Sequence, residues 1–314
     1  MRAFLALWVA CGAGCAPSPN DDVRAPSAVT DVERAIIEGR VRSHLNLTSD
    51  AVLGPAEFAR VTELNLQHEP ITDAGVAWLA DAATGLDGLT TLYLCGTQVT
   101  DAGLRELASA HSGLTRLTSL DLRSTQVTDA GVTDMAHTDS GLGGLTTLDL
   151  SFTSVTDAGL NSLARTGTGV RGLTTLGLAS TRVADAGMKA LAHEDTGLKG
   201  LKTLNLAFTL VSDAGVKELV HADTGLGELQ SLWLYGTAVT DAGVKHLARG
   251  DTGLTGLTTL DLGGTTVTDA GALDMARADT GLKRLTWLGF ADTQVTDAGV
   301  DVTKARWPGI QVNR

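Results

Sequence analysis

The chain has 314 residues and a formal net charge of −12; only 4% of its residues are aromatic, while 37 are glycine. This acidic balance, with no run of Lys or Arg, argues against a nucleic-acid groove or an anionic membrane surface as partner, because both need clustered positive charge. Few aromatic residues beside many glycines are unusual for a single globular core and fit a thin, layered molecule built from repeated parts.

The segment 1–15 has the pattern of a secretory signal peptide. Arg2 precedes an apolar run that ends near residue 16 and is too short to span a bilayer as a helix. The run leads into Gly-Ala-Gly-Cys, which resembles a bacterial lipoprotein cleavage site and predicts lipidation of Cys15, with Cys11 as the weaker candidate. A plain cleaved signal, or a cytosolic chain with a chance apolar start, is the alternative. We expect an exported protein of the bacterial cell envelope that touches a membrane, the outer membrane, only through its lipid anchor.

Residues 16–30 are rich in Pro, Ser and Asp, a composition typical of a flexible linker. If Cys11 is removed and Cys15 lipidated, Cys95 has no partner, so the sequence predicts no disulfide. Residues 31–47 have the apolar spacing of an amphipathic helix, and a first strand is expected near residues 64–66.

From residue 73 onward, a strict sequence period of 28 governs the chain. The triplet Asp-Ala-Gly begins at residues 73, 101, 129, 157, 185, 213, 241, 269 and 297. Within one period, Leu92 and Leu94 alternate with variable residues as in a strand, whereas Leu104 and Leu107 have the spacing of a helical face. Asp101 is expected to cap that helix at its N-terminus.

The order L-x-x-L-x-L-x-x-T-x-V, in a chain with nine consecutive Asp-Ala-Gly periods, resembles the leucine-rich repeat family, specifically its long-repeat, ribonuclease-inhibitor-like branch. The resemblance covers about residues 55–314. It implies an α/β fold, a solenoid or horseshoe with a parallel inner β-sheet and outer helices. A Thr stands where the family usually has Asn or Cys, and we expect these hydroxyls to form a buried ladder that binds backbone groups from coil to coil. The Thr residues are Thr97, Thr125, Thr153, Thr181, Thr209, Thr237, Thr265 and Thr293.

The expected domain organisation is a signal peptide over residues 1–15, a linker over 16–30 and a leucine-rich-repeat domain over 31–314. Both ends of a solenoid need sealing, because each coil buries its leucines only against its neighbours. Residues 31–61 are the expected N-terminal cap and residues 300–314 the expected C-terminal cap. In the latter, Ile310 is expected to align with Leu288 and Val312 with Phe290, a spacing below the full period that predicts a shortened last coil.

The positions that vary between coils lie on the open, concave side of the predicted sheet, opposite the leucines. Most of the scarce aromatic residues fall there, together with Asp, Asn and Arg. Clustered rings on one exposed face favour a binding surface over rings that only shield the sheet. The candidate binding residues are Tyr93, Asp121, Arg123, Asp149, Phe152, Asn205, Phe208, Trp233, Tyr235, Asp261 and Trp287.

The motifs that could carry catalysis or bind a metal or cofactor are weak. Residues 167–172 match a dinucleotide-binding glycine pattern but follow a predicted helix and precede a strand, the reverse of what that motif requires. Three His-x-Asp sets, at residues 137/139, 193/195 and 221/223, share one register but lack a further strong ligand, which favours solvated loops over metal. No G-x-S-x-G elbow occurs, and Cys95 has no nearby His on its face. We therefore predict no catalytic residue, no metal site and no cofactor.

These features together predict a non-catalytic binding scaffold at the bacterial cell envelope, with a concave sheet face that binds a macromolecular partner. A protein is favoured as the partner, because Tyr, Trp, Arg and Asp resemble the composition of protein hot spots. A polysaccharide, with rings stacked on sugars, is the alternative. A hydrolase or transferase is a third hypothesis without a catalytic constellation. We expect a monomer that does not bind nucleic acid.

Overall fold

A computed structural model describes residues 28–137, 139–221, 223–277 and 279–314. The predicted signal peptide with Cys15, and the predicted linker up to residue 27, lie outside the described residues. The strands are β1 (Glu63–Asn65), β2 (Thr91–Tyr93), β3 (Ser119–Asp121), β4 (Thr147–Asp149), β5 (Thr175–Gly177), β6 (Thr203–Asn205), β7 (Ser231–Trp233), β8 (Thr259–Asp261), β9 (Trp287–Gly289) and β10 (Gln311–Asn313).

Helices α1 (Asp31–His44) and α2 (Pro55–Phe58) precede the first strand, and one helix then follows each strand up to β9. A 3₁₀ turn, Ala82–Thr84, follows α3. No helix among the described residues is long and apolar enough to cross a membrane. The helices that follow the strands are α3 (Asp73–Ala80), α4 (Asp101–Ala108), α5 (Asp129–Met135), α6 (Asp157–Ala164), α7 (Asp185–Ala192), α8 (Asp213–Leu219), α9 (Asp241–Leu247), α10 (Asp269–Met275) and α11 (Asp297–Arg306).

All ten strands form one parallel sheet in chain order, from β1 to β10. The central leucine of each full repeat lies beside its equivalent in the next coil, as Leu92 lies beside Leu120. Leucines of the strands and helices, such as Leu94 and Leu104, are fully buried between the sheet and the helices. This arrangement confirms the predicted α/β solenoid with a parallel inner sheet and outer helices.

The last strand lies in a different register from the predicted one. Val312 pairs with Leu288, so the expected alignment of Val312 with Phe290 and of Ile310 with Leu288 is wrong. Successive side chains of a strand point to opposite faces, so a shift by two positions leaves the same side chains facing the core. The apolar pattern of the sequence therefore fits both registers.

The repeated Thr of the motif acts within its own coil. The hydroxyl of Thr97 donates to the carbonyl of Leu94 at 2.7 Å, and the same bond recurs at each equivalent Thr up to Thr293. The expected coil-to-coil ladder of Thr hydroxyls is therefore wrong. A Thr side chain is short, and here it reaches the carbonyl three residues earlier in its own turn.

Carboxylates make the coil-to-coil bonds instead. Thr100 caps α4, because its hydroxyl accepts from Ala102 N, so the expectation that Asp101 caps this helix is wrong. Asp73 of the preceding coil accepts from Thr100 N at 2.8 Å and from Thr100 Oγ1 at 2.6 Å, and Asp101 binds Thr128 in the same way. We call this series the carboxylate ladder; its members are Glu33, Asp73, Asp101, Asp129, Asp157, Asp185, Asp213, Asp241 and Asp269.

One step of the carboxylate ladder has fewer hydrogen bonds than the others. Ala184 stands where other coils have Thr or Ser, so Asp157 receives only the backbone N–H of Ala184, at 2.7 Å. The N-terminus of α7 has no side-chain cap for the same reason. In the same coil, the hydroxyl of Thr168 is buried without a hydrogen-bond partner in the described part of the chain.

Different groups seal the two ends of the described solenoid. At the start, the buried carboxylate of Glu33 on α1 accepts from the N–H and hydroxyl of both Thr30 and Thr72. At the far end, the indole of Trp307 lies over the last full coil, and its Nε1–H donates to the carbonyl of Leu282 at 3.1 Å. Each end of the apolar core is thus covered by a segment outside the regular repeat.

The carboxylate ladder predicts an unusual result for a glycine in a helix. Gly243 lies in the first turn of α9, and its N–H donates to Asp213 Oδ1 at 2.9 Å. A Gly-to-Ala change inside a helix typically stabilises by roughly 0.5–1 kcal/mol. A methyl group on Gly243 would collide with Asp213 Oδ1 and lie 3.0 Å from Val239 Cγ1. We therefore expect Gly243→Ala to lower the free energy of unfolding by about 1–2 kcal/mol, measured by urea denaturation.

The chain offers a matched control in Gly39 of α1. A methyl group at Gly39 would meet nothing within 4 Å, so Gly39→Ala should raise the free energy of unfolding by roughly 0.5–1 kcal/mol. Equal stabilisation by the two substitutions would show that Asp213 moves aside freely and that the ladder bonds contribute little.

Candidate functional site

The concave face of the sheet presents four side-chain positions in each coil. In the second coil they are Thr91 and Tyr93, the outer residues of β2, and Cys95 and Gly96 after the second leucine. The leucines between them point into the core, so these positions face outward. The structure places every predicted binding residue at one of these positions, and it brings most of them into two separate groups.

The first group, the polar cluster, lies in the N-terminal half of the sheet around Arg123. Arg123 Nη2 lies 2.6 Å from Asp121 Oδ2, and its Nε lies 3.6 Å from Asp149 Oδ2. Gln67, which the sequence did not single out, reaches Asp121 Oδ2 at 3.5 Å, and Ser151 Oγ donates to Asp149 Oδ1 at 2.6 Å. The hydrogen bond to Asp121 raises the pKa of Arg123 above its ordinary value. Here the face pairs both of its carboxylates with one guanidinium.

The second group, the aromatic cluster, lies in the C-terminal half and comprises Phe208, Trp233, Tyr235 and Trp287. The ring centroids of Phe208 and Tyr235 are 5.1 Å apart, and those of Trp233 and Trp287 are 5.5 Å apart. The two Trp residues belong to β7 and β9, so their rings meet above β8, which lies between them. Tilted rings at these separations attract each other, which holds the two rings of each pair together.

Glycine in the following coil makes room for two of these rings. A Cβ on Gly236 would lie 2.6 Å from Cδ1 of Phe208, and a Cβ on Gly263 would lie 2.5 Å from Cδ2 of Tyr235. Each ring therefore lies across the backbone of the next coil. A glycine one period after an aromatic residue is the sequence signal that could have revealed this arrangement.

Two phenylalanines of the concave face have a backbone conformation that bulky residues avoid. Phe152 and Phe208 have φ of 60° and 58°, and their side chains are 47% and 56% exposed. Other coils have glycine at this register position, as at Gly96, Gly236 and Gly264. A bulky residue in this left-handed region costs of order 1 kcal/mol or more. Two exposed rings are thus retained at positions where stability favours glycine.

A carboxylate lies beside the Trp pair, because Asp261 of β8 is the register neighbour of Trp233. Asp261 is 9% exposed, and its Oδ1 accepts from Gly263 N at 2.9 Å. Burial raises the pKa of Asp261, while the bond from Gly263 opposes that rise. Asn205, in the same position two coils earlier, accepts in the same way from Ala207 N at 3.0 Å. The hydrogen bond therefore needs an oxygen but not a charge.

Tyr235 is held by a residue that the sequence did not single out. Its hydroxyl donates to Asp292 Oδ2 at 2.6 Å, across two coils. This hydrogen bond, and then burial, raise the pKa of Tyr235 to about 12. Tyr235 is therefore a neutral donor near neutral pH, and it fixes the exposed carboxylate of Asp292 at the edge of the aromatic cluster.

The remaining candidates lie apart from these groups. Tyr93 and Phe152 stack with no other ring in the described part of the chain. Burial and then Asp121 raise the pKa of the Cys95 thiol, which disfavours a reactive thiolate. His193 Nδ1 accepts from Asp195 N at 3.2 Å in its own loop. Among the described residues, no group of three or more His, Cys, Asp and Glu side chains could hold a metal ion.

Comparisons with known proteins agree with this geometry. The Leucine Rich repeat family model matches residues 114–136, 145–164 and 253–276. No curated protein matches the sequence. The crystal structure of an internalin C2 from Listeria monocytogenes is 21% identical over 83% of this chain and 92% of that chain, with a TM-score of 0.52. Listeria monocytogenes InlP is 13% identical over 87% of this chain and 68% of that chain, with a TM-score of 0.50. Likeness at these identities concerns the fold alone.

Proposed function

We propose that this chain, which is a leucine-rich repeat protein, is a non-catalytic scaffold that binds a protein partner on its concave face. Solenoids of this kind present an extended concave surface, and their variable side chains select what it binds. The helix side carries the repeated architecture, whereas the concave face carries the differences between coils. That division favours recognition on the sheet.

The observation that carries the proposal is the aromatic cluster. Large rings grouped on an open face, with polar groups beside them, are the usual energetic centre of a protein interface. Phe208 in particular is exposed and has a positive φ, a costly arrangement that the sheet itself does not need. Contact with a partner would offset that cost by burying the ring.

The polar cluster fits the role of a flanking contact. Its carboxylates are already paired with Arg123, so a partner meets a fixed pattern of charges there. Fixed charges on an interface contribute more to specificity than to affinity. A hydrolase or transferase has less support, because in the described residues the concave face pairs no nucleophile with a base.

The proposed location is the bacterial cell envelope, with the chain exported and held at the outer membrane by a lipid on Cys15. The support is the N-terminal sequence pattern, an apolar run that ends in Gly-Ala-Gly-Cys and precedes a Pro-, Ser- and Asp-rich stretch. Such a tether would let the described solenoid meet its partner as a monomer at some distance from the membrane.

The proposed function predicts that the double change Trp233→Ala with Tyr235→Ala weakens partner binding by at least about thirtyfold, because truncating an interface anchor typically costs ~2 kcal/mol or more. Partners would be captured from a native envelope extract by the intact chain, identified by mass spectrometry and purified. Their affinity for both forms would then be measured by biolayer interferometry. Circular dichroism would check that the variant keeps its fold.

The matched control is the double change Lys189→Ala with Lys217→Ala, two exposed residues of α7 and α8 on the helix side. We expect this control to bind the partner as the unchanged chain does. Loss of binding in the Lys variant and normal binding in the aromatic variant would contradict the proposal. Binding to a glycan array, with no captured protein, would favour the polysaccharide alternative.

A further inference from the structure

The two halves of the concave face differ in whether their carboxylates have a positively charged partner. In the polar cluster, Arg123 pairs with both Asp121 and Asp149. In the aromatic half, Asp261 occupies the same register position as Asp121, but Gly263 stands where Arg123 would be. Across the described residues, Asp261 makes no ion pair, and its Oδ2 has no hydrogen-bond partner.

The surroundings of Asp261 make an unpaired charge costly. The carboxylate is 9% exposed and lies in β8 beside Trp233 of β7. Removing a carboxylate from water without a cation beside it costs free energy, and the raised pKa of Asp261 reflects this cost. Asn205 shows that a neutral amide can make the same backbone bond in this fold. The local turn therefore does not need the charge of Asp261.

The aromatic half also lacks any positive charge of its own. At the concave positions of the coils that contain β6 to β9, all of them described, there is no Lys, Arg or His. Asp261 and Asp292 leave this region with two negative charges beside the four aromatic rings. Negative ring faces next to a desolvated carboxylate attract a cation and repel an anion.

We propose that the aromatic cluster is a receptor for one arginine side chain of the protein partner, with the guanidinium stacked on Trp233 and Trp287 and hydrogen-bonded to Asp261. This inference rests on the proposed function and names the chemistry of the partner at its centre. The formal net charge of −12 complements a basic segment over the whole chain.

Two observations favour a guanidinium over other groups. The Trp centroids are 5.5 Å apart, too close for a further flat ring to slide between them, so the ligand lies against the pair rather than between the rings. A guanidinium is planar and weakly hydrated, stacks on indole and donates several N–H groups to carboxylates, whereas an ammonium is compact and strongly hydrated. Arg123 shows the same pairing, guanidinium on carboxylate, elsewhere on this face.

The test uses the full chain and short peptide probes. The arginine probe is acetyl-Gly-Arg-Gly-amide, and its neutral isostere has citrulline in place of arginine. Binding would be followed by NMR through the indole Nε1–H signals of Trp233 and Trp287. We expect a saturable shift of both signals with the arginine peptide and at least about tenfold weaker binding of the citrulline peptide, since the charge is lost while the shape is kept.

The decisive variant is Asp261→Asn, which keeps an oxygen for Gly263 N and removes the charge. We expect an unchanged or higher melting temperature, with at least about tenfold weaker binding of the arginine peptide. The matched control is Asp301→Asn, the same substitution at an exposed residue of α11, which should bind the peptide as the unchanged chain does.

Three results would overturn the inference: no saturable shift with the arginine peptide, equal binding of the citrulline peptide, or full binding by Asp261→Asn. The captured partner separates this failure from a failure of the proposed function. If that partner binds Asp261→Asn normally but loses affinity for the Trp233 and Tyr235 variant, the concave face binds a protein without an arginine receptor. If neither variant loses affinity for it, both proposals fail.

Discussion

Trp307→Ala should lower the free energy of unfolding by about 4 kcal/mol, as expected for removing a buried indole. The Trp307 side chain is 7% exposed and covers the last full coil next to Leu282. Its removal would open a cavity against the core and leave the Leu282 carbonyl without its donor, and both effects destabilise the fold. Urea denaturation would measure the loss, with far-UV circular dichroism as the signal because it does not rely on tryptophan fluorescence.

The control for this prediction is Trp307→Phe. Phenylalanine keeps much of the apolar volume but cannot donate to the Leu282 carbonyl, so we expect a loss of roughly 1–2 kcal/mol. In a solenoid the loss should also be local, because each coil is stabilised by its neighbours. Hydrogen exchange should therefore speed up most in β9 and α10. Unchanged stability of the Ala variant would mean that this segment does not seal the core.

Glu33→Gln should cost about 3 kcal/mol at neutral pH. Glu33 is 3% exposed and accepts hydrogen bonds from Thr30 and Thr72. Burial tends to raise its pKa, but the four hydrogen bonds outweigh burial and lower the pKa from 4.5 to about 2. A shift of this size corresponds to roughly 3 kcal/mol of stability. Glutamine has one oxygen fewer and no charge, so it cannot hold the two threonines equally well.

The pH dependence of this effect follows from the lowered pKa. A carboxyl group with a folded-state pKa below its unfolded value contributes stability above the unfolded value and loses it as the pH falls. The stability difference between the unchanged chain and Glu33→Gln should thus be full above about pH 4.5 and shrink towards pH 2. A difference that stays constant across this range would contradict the assignment. Glu194→Gln, at an exposed loop residue, should leave the stability unchanged.

The repeating part of the fold could be predicted because the sequence repeats without a slip. Alternating leucines such as Leu92 and Leu94 specify a strand, and Leu104 with Leu107 specifies a helix face. The carboxylate ladder was missed, because its partners belong to neighbouring coils and their meeting depends on how the coils stack. Asp101 fits the local pattern of a helix cap, yet it binds Thr128 in the next coil. Local sequence rules do not predict a contact between residues that lie one coil apart.

The candidate site was predictable as a face but not as a set of contacts. The two-residue period of a strand determines which residues point outward, which was enough to select Trp233 and Tyr235. It does not determine where a ring turns. Tyr235 lies across Gly263 and reaches Asp292 because the next coil leaves room there. The left-handed backbone at Phe208 likewise becomes visible only in three dimensions.

The missing hydroxyl bond at Ala184 makes the helix side of the stack easier to open at this position than elsewhere. On the helix side the link between the coils of Asp157 and Ala184 has lost its hydroxyl bond, whereas on the sheet side Ala179 N donates to Ser151 Oγ at 3.0 Å across the same two coils. Pulled from its two ends, this protein should therefore open first on its helix side near its middle. That point falls between Phe152 and Phe208, so the helix layer would open between the Arg123 half and the Trp233 half while the concave surface of each half stays intact.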